Sequence, residues 1–291
     1  LGDVYKRQEY HQTIGQDLHL TVRGNFTYAR NMIVDQDQPD YKYLYMNRTG
    51  QARYQTFGLV AAGLFRDQAD IDAWPKQSFG DVEPGDIKYL DLNGDNIVNG
   101  GKGTLEDPGD RRVIGNSSPR YQYGATLNFS WYGFDVSVFV QGIGRLDWYP
   151  GADNLRFWGP YSRPYATFIP KNFMSQVWSE SNPDAYLPRA RAYTSLNSTQ
   201  GTAYYTNDRY LQNLAYCRLK NLTLGYTIPK RLTSKVGIKE CRVYFSGENL
   251  ATWSALKNDF LDPEQAAANS DKKSNVYPWC RTYSVGLNLT F

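Results

Sequence analysis

The sequence predicts an all-β fold, a transmembrane antiparallel β-barrel with long extracellular loops. Three observations predict it. The end of the chain alternates strictly between apolar and small or polar residues, other segments repeat this pattern, and the connections between them are alternately short and long. A period of two indicates a strand with two different faces. Short turns at one end and long loops at the other are typical of outer-membrane barrels.

The strongest strand signal lies in residues 282–291. Tyr283, Val285, Leu287, Leu289 and Phe291 share one face, and the residues between them are small or polar. A strand with this pattern that ends on an aromatic residue is typical of the closing strand of a bacterial outer-membrane barrel. We therefore expect its apolar face towards lipid and its polar face towards the lumen.

Earlier segments show the same period. Residues 18–28 alternate along their whole length, and a tilted strand needs about 9–11 residues to cross a bilayer. A weaker strand is expected within residues 55–65. Residues 121–131 and 134–141 alternate on either side of Tyr132-Gly133, which predicts a hairpin with a tight turn.

Three strong strands are expected in the last third of the chain, over residues 210–226, 240–249 and 282–291. Two stretches without sustained alternation, residues 145–208 and 250–278, are interpreted as long loops. A modest turn at residues 228–231 joins the first two strands. Regular helix is almost absent, and the one short helix expected lies at residues 170–179.

Composition alone fits a barrel wall and a soluble, sugar-binding β-sandwich about equally well. Mean hydropathy is −0.60, and the longest apolar stretch, residues 58–65, is far shorter than the roughly 20 residues of a membrane-spanning helix. Aromatic residues make up 15% of the chain, with 24 Tyr and 7 Trp. Tyr and Trp favour sites with one apolar and one wet side, which a membrane interface and a sugar-binding surface both offer.

Charge and cysteine usage point to no special chemistry. The net charge of +3 is scattered, so we expect no nucleic-acid partner. The three cysteines, Cys217, Cys241 and Cys280, have no metal-ligand spacing. The strand assignments put Cys241 and Cys217 at opposite ends of neighbouring strands, and we expect all three to be unpaired.

The beginning of the chain lacks a signal peptide, although a barrel protein must be exported. Residues 1–8 have no clear periodicity and are interpreted as a non-native or artefactual segment. We expect the true N-terminal part to be missing.

Residues 91–99 (DLNGDNIVN) resemble the start of a calcium-binding EF-hand loop. Hard cations prefer several oxygen ligands, which Asp91, Asn93 and Asp95 would supply. Position twelve is Lys102 instead of a carboxylate, so Asp110 would have to complete the site after an insertion, with Glu106 and Asp107 as alternatives. The favoured interpretation is a loop of side-chain-to-backbone turns without an ion. Calcium is the one cofactor that the sequence leaves open.

Signals for catalysis are weak. His11 and His19 are the only imidazoles, and the chain contains no GxSxG, HExxH or phosphate-loop motif. His19 falls on the polar face of its strand, which indicates a structural role. Loop carboxylates leave a glycosidase pair open, but nothing selects one, and we expect no enzyme.

An ordered series of motifs resembles the SusC/RagA family of TonB-linked outer-membrane transporters. The motifs are Asn31, residues 85–95 (GDIKYLDLNGD), 110–116 (DRRVIGN), Pro119, 219–229 (LKNLTLGYTIP), 247–250 (GENL), 262–264 (DPE) and 277–291 (YPWCRTYSVGLNLTF). Each motif alone is weak, and the ordered set is specific. The resemblance runs from about residue 9 to the end of the chain.

The resemblance implies a 22-stranded barrel with an N-terminal plug. Such proteins import glycans or peptides with TonB and a SusD-like surface lipoprotein as partners. Residues 9–291 would form the C-terminal part of this barrel, in contact with outer-membrane lipid and without the plug. The expanded segment between Asn99 and Asp110 departs from the family pattern.

The implied function is TonB-dependent import of a nutrient, an oligosaccharide in preference to a peptide. Loop aromatics are candidates for stacking on sugar rings, namely Trp148, Trp158, Tyr161 and Tyr165. The favoured alternative is that these rings serve in loop packing or in contact with a partner protein. The alternative for the whole chain is a secreted, soluble β-sandwich that binds glycans.

Overall fold

A computed structural model describes most of the chain. The described residues are 2–15, 17–102, 104, 107, 109–163, 165, 167, 169–191, 205–257, 261–268 and 279–291. Within them no helix is long and apolar enough to cross a membrane.

Strands dominate the described residues. They are β1 (Gly2–Ile14), β2 (Leu18–Arg30), β3 (Gln55–Gly58), β4 (Ala61–Leu64), β5 (Lys76–Gln77), β6 (Ile87–Tyr89), β7 (Ile97–Val98), β8 (Arg112–Asn116), β9 (Tyr121–Trp131), β10 (Phe134–Ile143), β11 (Asp147–Trp148), β12 (Gln212–Asn213), β13 (Tyr216–Thr227), β14 (Glu240–Ser254) and β15 (Thr282–Thr290). The helices are α1 (Gln68–Asp72), α2 (Leu155–Trp158), α3 (Lys230–Thr233) and α4 (Pro263–Ala268), with 3-10 turns at Leu44–Met46, Gly159–Tyr161, Met174–Gln176 and Ser234–Val236.

One large sheet organises the molecule. Seven strands pair side by side in the order β1-β2-β9-β10-β13-β14-β15, and every pairing is antiparallel. The described strands form an open sheet in which β1 and β15 are the edges. The predicted all-β, antiparallel class is therefore confirmed.

The period-two pattern becomes two opposed faces. In the register of β9 and β10, Val138 lies opposite Leu127, while Ser137 lies opposite Asn128. Directly opposite residues point to the same side of a sheet, so the apolar residues of neighbouring strands form one continuous apolar face. Its exposed members include Val22, Phe26, Leu127, Trp131, Phe134, Leu224, Val243, Val285, Leu287 and Leu289.

The connections differ sharply between the two ends of the sheet. Residues 15–17, 132–133 and 228–239 make the short connections at one end, and residues 31–120, 144–215 and 255–281 make the long ones at the other. This is the rhythm that the sequence predicts. The predicted hairpin is also confirmed, with Tyr132 at φ 46° and Gly133 at φ 86°, because a two-residue turn with positive φ at both positions matches the strand twist.

The first two long connections are not plain loops. They pack together as a loop domain, defined here by the described residues of 31–120 and 144–215, with β3–β8, β4–β6, β5–β7 and β11–β12 as small two-stranded sheets. Its core includes Leu59, Phe79, Ile87, Val98 and Leu187. The single strand expected within residues 55–65 is two short strands, β3 and β4, and neither joins the large sheet. Burial against this core, which spacing along one segment does not reveal, is the reason.

Other boundaries shift for similar reasons. The strand expected from residue 210 begins at Tyr216, because Tyr210 and Leu214 are fully buried in loop-domain and neighbouring clusters. Where a helix was expected at residues 170–179, the structure has only the 3-10 turn Met174–Gln176. The cysteines are free, as predicted. In the strand register Cys217 lies opposite Trp253 and Cys241 lies opposite Leu289, near opposite ends of β14.

Residues 2–8, interpreted from the sequence as non-native, lie in β1 and pair with β2 throughout. Their pattern differs from that of the other long strands. Lys6 lies opposite Phe26 and Gln8 opposite Gly24, which puts a charged and an amide side chain on the apolar face. The non-native origin of this segment stays a prediction.

Gly133 provides a test of the hairpin. A Cβ at this residue would lie 2.7 Å from the Thr227 carbonyl oxygen, and its φ is left-handed. We expect Gly133→Ala in the full-length protein to lower the free energy of unfolding by about 1–2 kcal/mol. Gly24→Ala is the matched control, because no atom lies within 4 Å of its Cβ position. Denaturant unfolding measures both, and equal stability of the two variants would contradict the turn geometry.

Candidate functional site

The candidate site comprises the polar face of the large sheet and the loop domain beside it. The polar face carries the small and polar residues of each strand, for example Thr126, Ser137, Thr223 and Ser284. Ser137 donates to Asn128 Oδ1 at 2.7 Å, across β9 and β10. Cross-strand hydrogen bonds of this kind satisfy polar groups on the face and fix the register.

An ion pair ties three strands together on the polar face. Arg242 of β14 donates Nε to Asp135 Oδ1 at 2.8 Å and Nη2 to Oδ2 at 2.5 Å. Gly225 of β13 lies between the two strands, and a Cβ there would overlap both side chains. The glycine is therefore needed so that the bidentate pair can cross β13.

A buried cation attaches the third long connection to the sheet. Arg218 of β13 is 1% exposed and donates to Asp262, to Glu264 Oε2 at 2.8 Å and to Thr252 Oγ1 at 2.9 Å. Lys220 donates to the same Glu264 carboxylate at 2.8 and 2.9 Å. The network holds the beginning of α4 on the polar side of β13. Two of the motifs that carry the family resemblance, LKNLTLGYTIP and DPE, thus meet in space.

Three contacts lock the first long connection to the second. Arg191 pairs with Glu83 at 2.9 Å and with the buried Asp86 at 3.2 Å, and Arg189 N donates to the Gly85 carbonyl oxygen at 2.8 Å. Gly85 lies against the Trp178 ring, so a side chain there would displace it. The beginning of the GDIKYLDLNGD motif therefore holds the first two long connections together through non-covalent contacts.

Asn207 is the buried polar centre of the loop domain. The two N–H groups of its Nδ2 share three acceptors, Tyr89 Oη at 3.2 Å, Tyr149 Oη at 3.1 Å and the Tyr205 carbonyl at 2.9 Å, and its Oδ1 accepts from Tyr210 N at 3.1 Å. Burial raises the pKa of the Tyr89, Tyr149 and Tyr210 hydroxyls, so they stay neutral. A fully hydrogen-bonded buried network of this kind favours a single packing arrangement.

The aromatic residues singled out in the sequence fall into two groups. Trp148, Trp158 and Tyr161 are buried. Trp158 packs edge-on against Phe157 and Tyr210, with ring centroids 4.7 and 5.0 Å away, and Tyr161 Oη donates to the Pro188 carbonyl at 2.5 Å. These three rings have a packing role in this conformation. Tyr165 is 80% exposed, so its ring is open to a ligand or a partner.

A polar cleft that sequence reasoning missed lies at the edge of the loop domain. It has a volume of about 430 Å³ and is lined by Ala61, Asp184, Tyr186, Asp208, Arg209 and Lys257. Lys257 Nζ lies 5.9 Å from the Tyr186 ring. Two carboxylates, two cations and an aromatic ring together suit polar ligands that also have apolar faces. No local signal identifies this set, because its members come from all three long connections.

The calcium-like loop is closed by its own side chains. Asp91 accepts from Gly94 N at 2.7 Å and Asn96 N at 2.8 Å, and Asp95 accepts from Ile97 N at 2.8 Å. Asn93 donates Nδ2 to Asp95 at 2.9 Å. Among the described residues no group of three or more His, Cys, Asp or Glu is arranged to hold a metal. Lys102 N donates to the Asp107 carbonyl, and Glu106 lies outside the described residues.

Asp110 does reach this loop, as the sequence predicts for the missing carboxylate. It is fully buried and accepts from Leu92 N and Asn99 N, both at 2.8 Å. Burial raises the pKa of its carboxyl above the usual range, although these backbone N–H groups oppose the shift. Asp110 therefore binds the backbone of the loop in this structure.

The two histidines lie on the polar face. His11 pairs with Glu9 at 2.8 Å and contacts Thr21 Oγ1 at 3.0 Å, and His19 contacts Thr13 Oγ1 at 3.2 Å. Cross-strand contacts of this kind agree with the structural role expected for His19.

Arg218 provides a test of loop attachment. We expect Arg218→Met to leave two carboxylates with one cation, which costs about 3–5 kcal/mol for a broken buried pair. Amide hydrogen exchange of α4 in the full-length protein should accelerate. Arg231→Met in α3, an exposed arginine at the short-turn end, is the control and should leave this exchange unchanged. Slow exchange in both variants would show that the network does not hold α4.

Comparison with known proteins gives several relatives, although no family model matches the chain. TonB-dependent receptor P3 of Formosa agariphila is 29% identical over 299 residues, 95% of this chain and 27% of that protein. TonB-dependent receptor P26 of the same organism is 29% identical over 242 residues, which cover 80% of this chain and 22% of that protein. TonB-dependent receptor SusC of Bacteroides thetaiotaomicron is 26% identical over 216 residues, which cover 70% of this chain and 19% of that protein.

A solved structure shares the fold. The structure of the RagAB peptide transporter matches 99% of this chain and 29% of its own chain, with a TM-score of 0.62 at 19% identity. The chain spans between 19% and 27% of the length of the curated relatives given above. The matched proteins are named as receptors and a transporter, not as enzymes. The chain is therefore a homologue of TonB-dependent receptors of the SusC type, and the family resemblance carried by its motifs is confirmed.

Proposed function

We propose that this chain forms part of the wall and the extracellular loops of an outer-membrane barrel that imports a nutrient. The observation that carries the proposal is the continuous, exposed apolar face of the large sheet. Leu127, at the middle of β9, is 40% exposed, and its neighbour Val22 on β2 is 37% exposed, while its neighbour Val138 on β10 is partly buried. Water-soluble monomers rarely leave apolar patches larger than a few hundred Å² uncovered, and the hydrocarbon of a bilayer would cover this one.

The alternative of a soluble β-sandwich fits less well. A sandwich buries the apolar face of one sheet against a second sheet. In the described residues the other sheets are two-stranded and belong to the loop domain at one end. The open edges of β1 and β15 also need partners, because unpaired backbone groups are costly in hydrocarbon. Further strands of a longer barrel would supply them.

The mechanism involves no bond chemistry and no enzyme activity. The polar face would line the lumen, and the loop domain, at the end with long connections, would lie outside the cell. Import would be driven through TonB by a plug in another part of the protein. A SusD-like lipoprotein is the proposed surface partner, as the RagAB name and the SusC homologue suggest by analogy.

An oligosaccharide is the proposed ligand, with a peptide as the runner-up. The polar cleft supports either, because Asp184 and Asp208 can accept hydrogen bonds and the Tyr186 ring can stack. Tyr165 is the one loop aromatic of the four singled out that exposes its ring in this conformation. A lysine on a lipid-facing row is unfavourable, by up to about 2–4 kcal/mol at the bilayer centre, so Lys6 in β1 supports the interpretation of residues 1–8 as non-native.

A pair of neighbouring substitutions tests the membrane assignment. In the full-length protein we expect Leu127→Lys to destabilise the barrel by about 2–4 kcal/mol, because it puts a charge in the centre of the bilayer. Thr126→Lys, on the polar face of the same strand, should assemble normally. Outer-membrane fractionation and heat-modifiable migration measure assembly. A wild-type protein that is soluble without detergent, or two variants that assemble equally, would contradict the proposal.

Calcium binding by Asp91, Asn93, Asp95 and Asp110 is one proposal for this loop. A loop that binds no ion is the proposal that we favour. The carboxylates of Asp91 and Asp110 already accept backbone N–H groups. We therefore expect calorimetric titration of the full-length protein with calcium to show no saturable binding in the millimolar range. Saturable heat that disappears in Asp91→Ala, but persists in the control Asp17→Ala, would establish an ion site.

A further inference from the structure

A second cleft, where the large sheet meets the loop domain, carries three arginines. It has a volume of about 340 Å³, and its charged lining residues are Arg30, Arg120, Arg145 and Asp147. Arg30 is the last residue of β2, Arg120 comes directly before β9, and Arg145 follows β10. These are adjacent strands of the sheet, so the arginines come from three neighbouring strand ends.

The backbone keeps these arginines side by side. Ala29 N donates to the Arg120 carbonyl at 3.1 Å, and Arg120 N donates to the Arg145 carbonyl at 3.4 Å. Neighbouring strands are about 4.8 Å apart, so the three Cα atoms fall within a span of roughly 10 Å. Like charges on adjacent strands destabilise a sheet unless something neutralises them.

The cleft does not neutralise them itself. Asp147 is its one acidic lining residue, and Asp147 Oδ2 accepts from Asn116 N at 2.9 Å and lies 3.4 Å from Arg145 Nη2. The Arg145 side chain is still 61% exposed. Within the described part of the chain, the Arg30 and Arg120 side chains form no ion pair and no hydrogen bond. Three cations face one carboxylate, and a recessed site concentrates that potential.

The remaining wall is uncharged, with apolar residues such as Met32, Val113 and Ile114 and a polar part. The polar part includes Asn31, Gln51, Gln55, Asn116 and Ser118. The planar fork of a guanidinium group can bind two oxygens of a carboxylate or a sulfate, and amide and hydroxyl groups can bind the hydroxyls of a sugar. The cleft thus combines a site for one anionic group with contacts for the rest of a polar molecule.

We propose that this cleft binds the carboxylate or sulfate group of an acidic oligosaccharide. The proposal that the cleft binds an anion does not depend on the import function. The proposal that this anion belongs to an imported oligosaccharide does rest on that function. The assignment narrows the ligand from a polar oligomer to an anionic one.

The experiment uses the purified full-length protein in a detergent solution of constant ionic strength, because screening alone would weaken any charged contact. The probes are sodium sulfate, trigalacturonate and the neutral maltotriose, measured by calorimetry. The test variant is Arg120→Gln combined with Arg145→Gln. Arg231→Gln combined with Lys235→Gln removes the same charge at the opposite end of the sheet, and thermal unfolding checks that all proteins are folded.

Sulfate and trigalacturonate should bind the wild-type and control proteins. Maltotriose should bind these proteins with an affinity at least tenfold lower than that of trigalacturonate. The test variant should lose at least tenfold in affinity for both anions. Absence of anion binding, or equal binding in the test and control variants, overturns the site. Sulfate binding without trigalacturonate binding overturns the acidic-sugar ligand. Lipopolysaccharide phosphate that co-purifies with the wild type but not with the test variant would assign the cleft to a lipid headgroup instead. If Leu127→Lys and Thr126→Lys assembled equally well, the membrane role would be rejected, but the measured binding of anions to the cleft would still stand.

Discussion

The structure depends on one constraint, the in-register pairing of seven strands whose side chains alternate with a period of two. Because opposite residues point to the same side, each pairing extends the same two faces across the sheet. A shift of one residue in any strand would move its apolar residues among polar neighbours. The separation of an apolar face from a polar face, and hence the membrane assignment proposed here, follows from this register.

Buried polar contacts then fix the loops relative to that sheet. Arg218 attaches α4 to β13, Arg191 joins Glu83 and Asp86 across two connections, and Asn207 holds three tyrosines in the loop-domain core. An unpaired buried charge or amide is costly, so each of these groups is satisfied only when its partners from distant segments are in position. The long connections are thereby held as a packed domain.

The two clefts show how such packing creates sites. Each collects charged residues from segments that are far apart in the chain, Asp184 to Lys257 in one and Arg30 to Asp147 in the other. Their chemistry differs, because the first has balanced charges and an aromatic ring while the second has an excess of arginine. Both lie in or beside the loop domain, which is the part that a ligand would reach first under the import function proposed here.

The sequence by itself determined six strands of the large sheet (β2, β9, β10, β13, β14 and β15), their two faces, the tight turn at Tyr132-Gly133 and the contrast between short and long connections. It did not predict β1, whose first residues show no clear periodicity. Alternation and turn chemistry are local properties, so they can be recognised in one segment at a time. Tertiary structure alone decided that Trp148, Trp158 and Tyr161 pack inside the loop domain, that β3 and β4 leave the large sheet, and that three scattered arginines share one cleft. These outcomes depend on which distant segments meet, and the pairing of neighbouring strands, not the spacing of residues along the chain, brings them together.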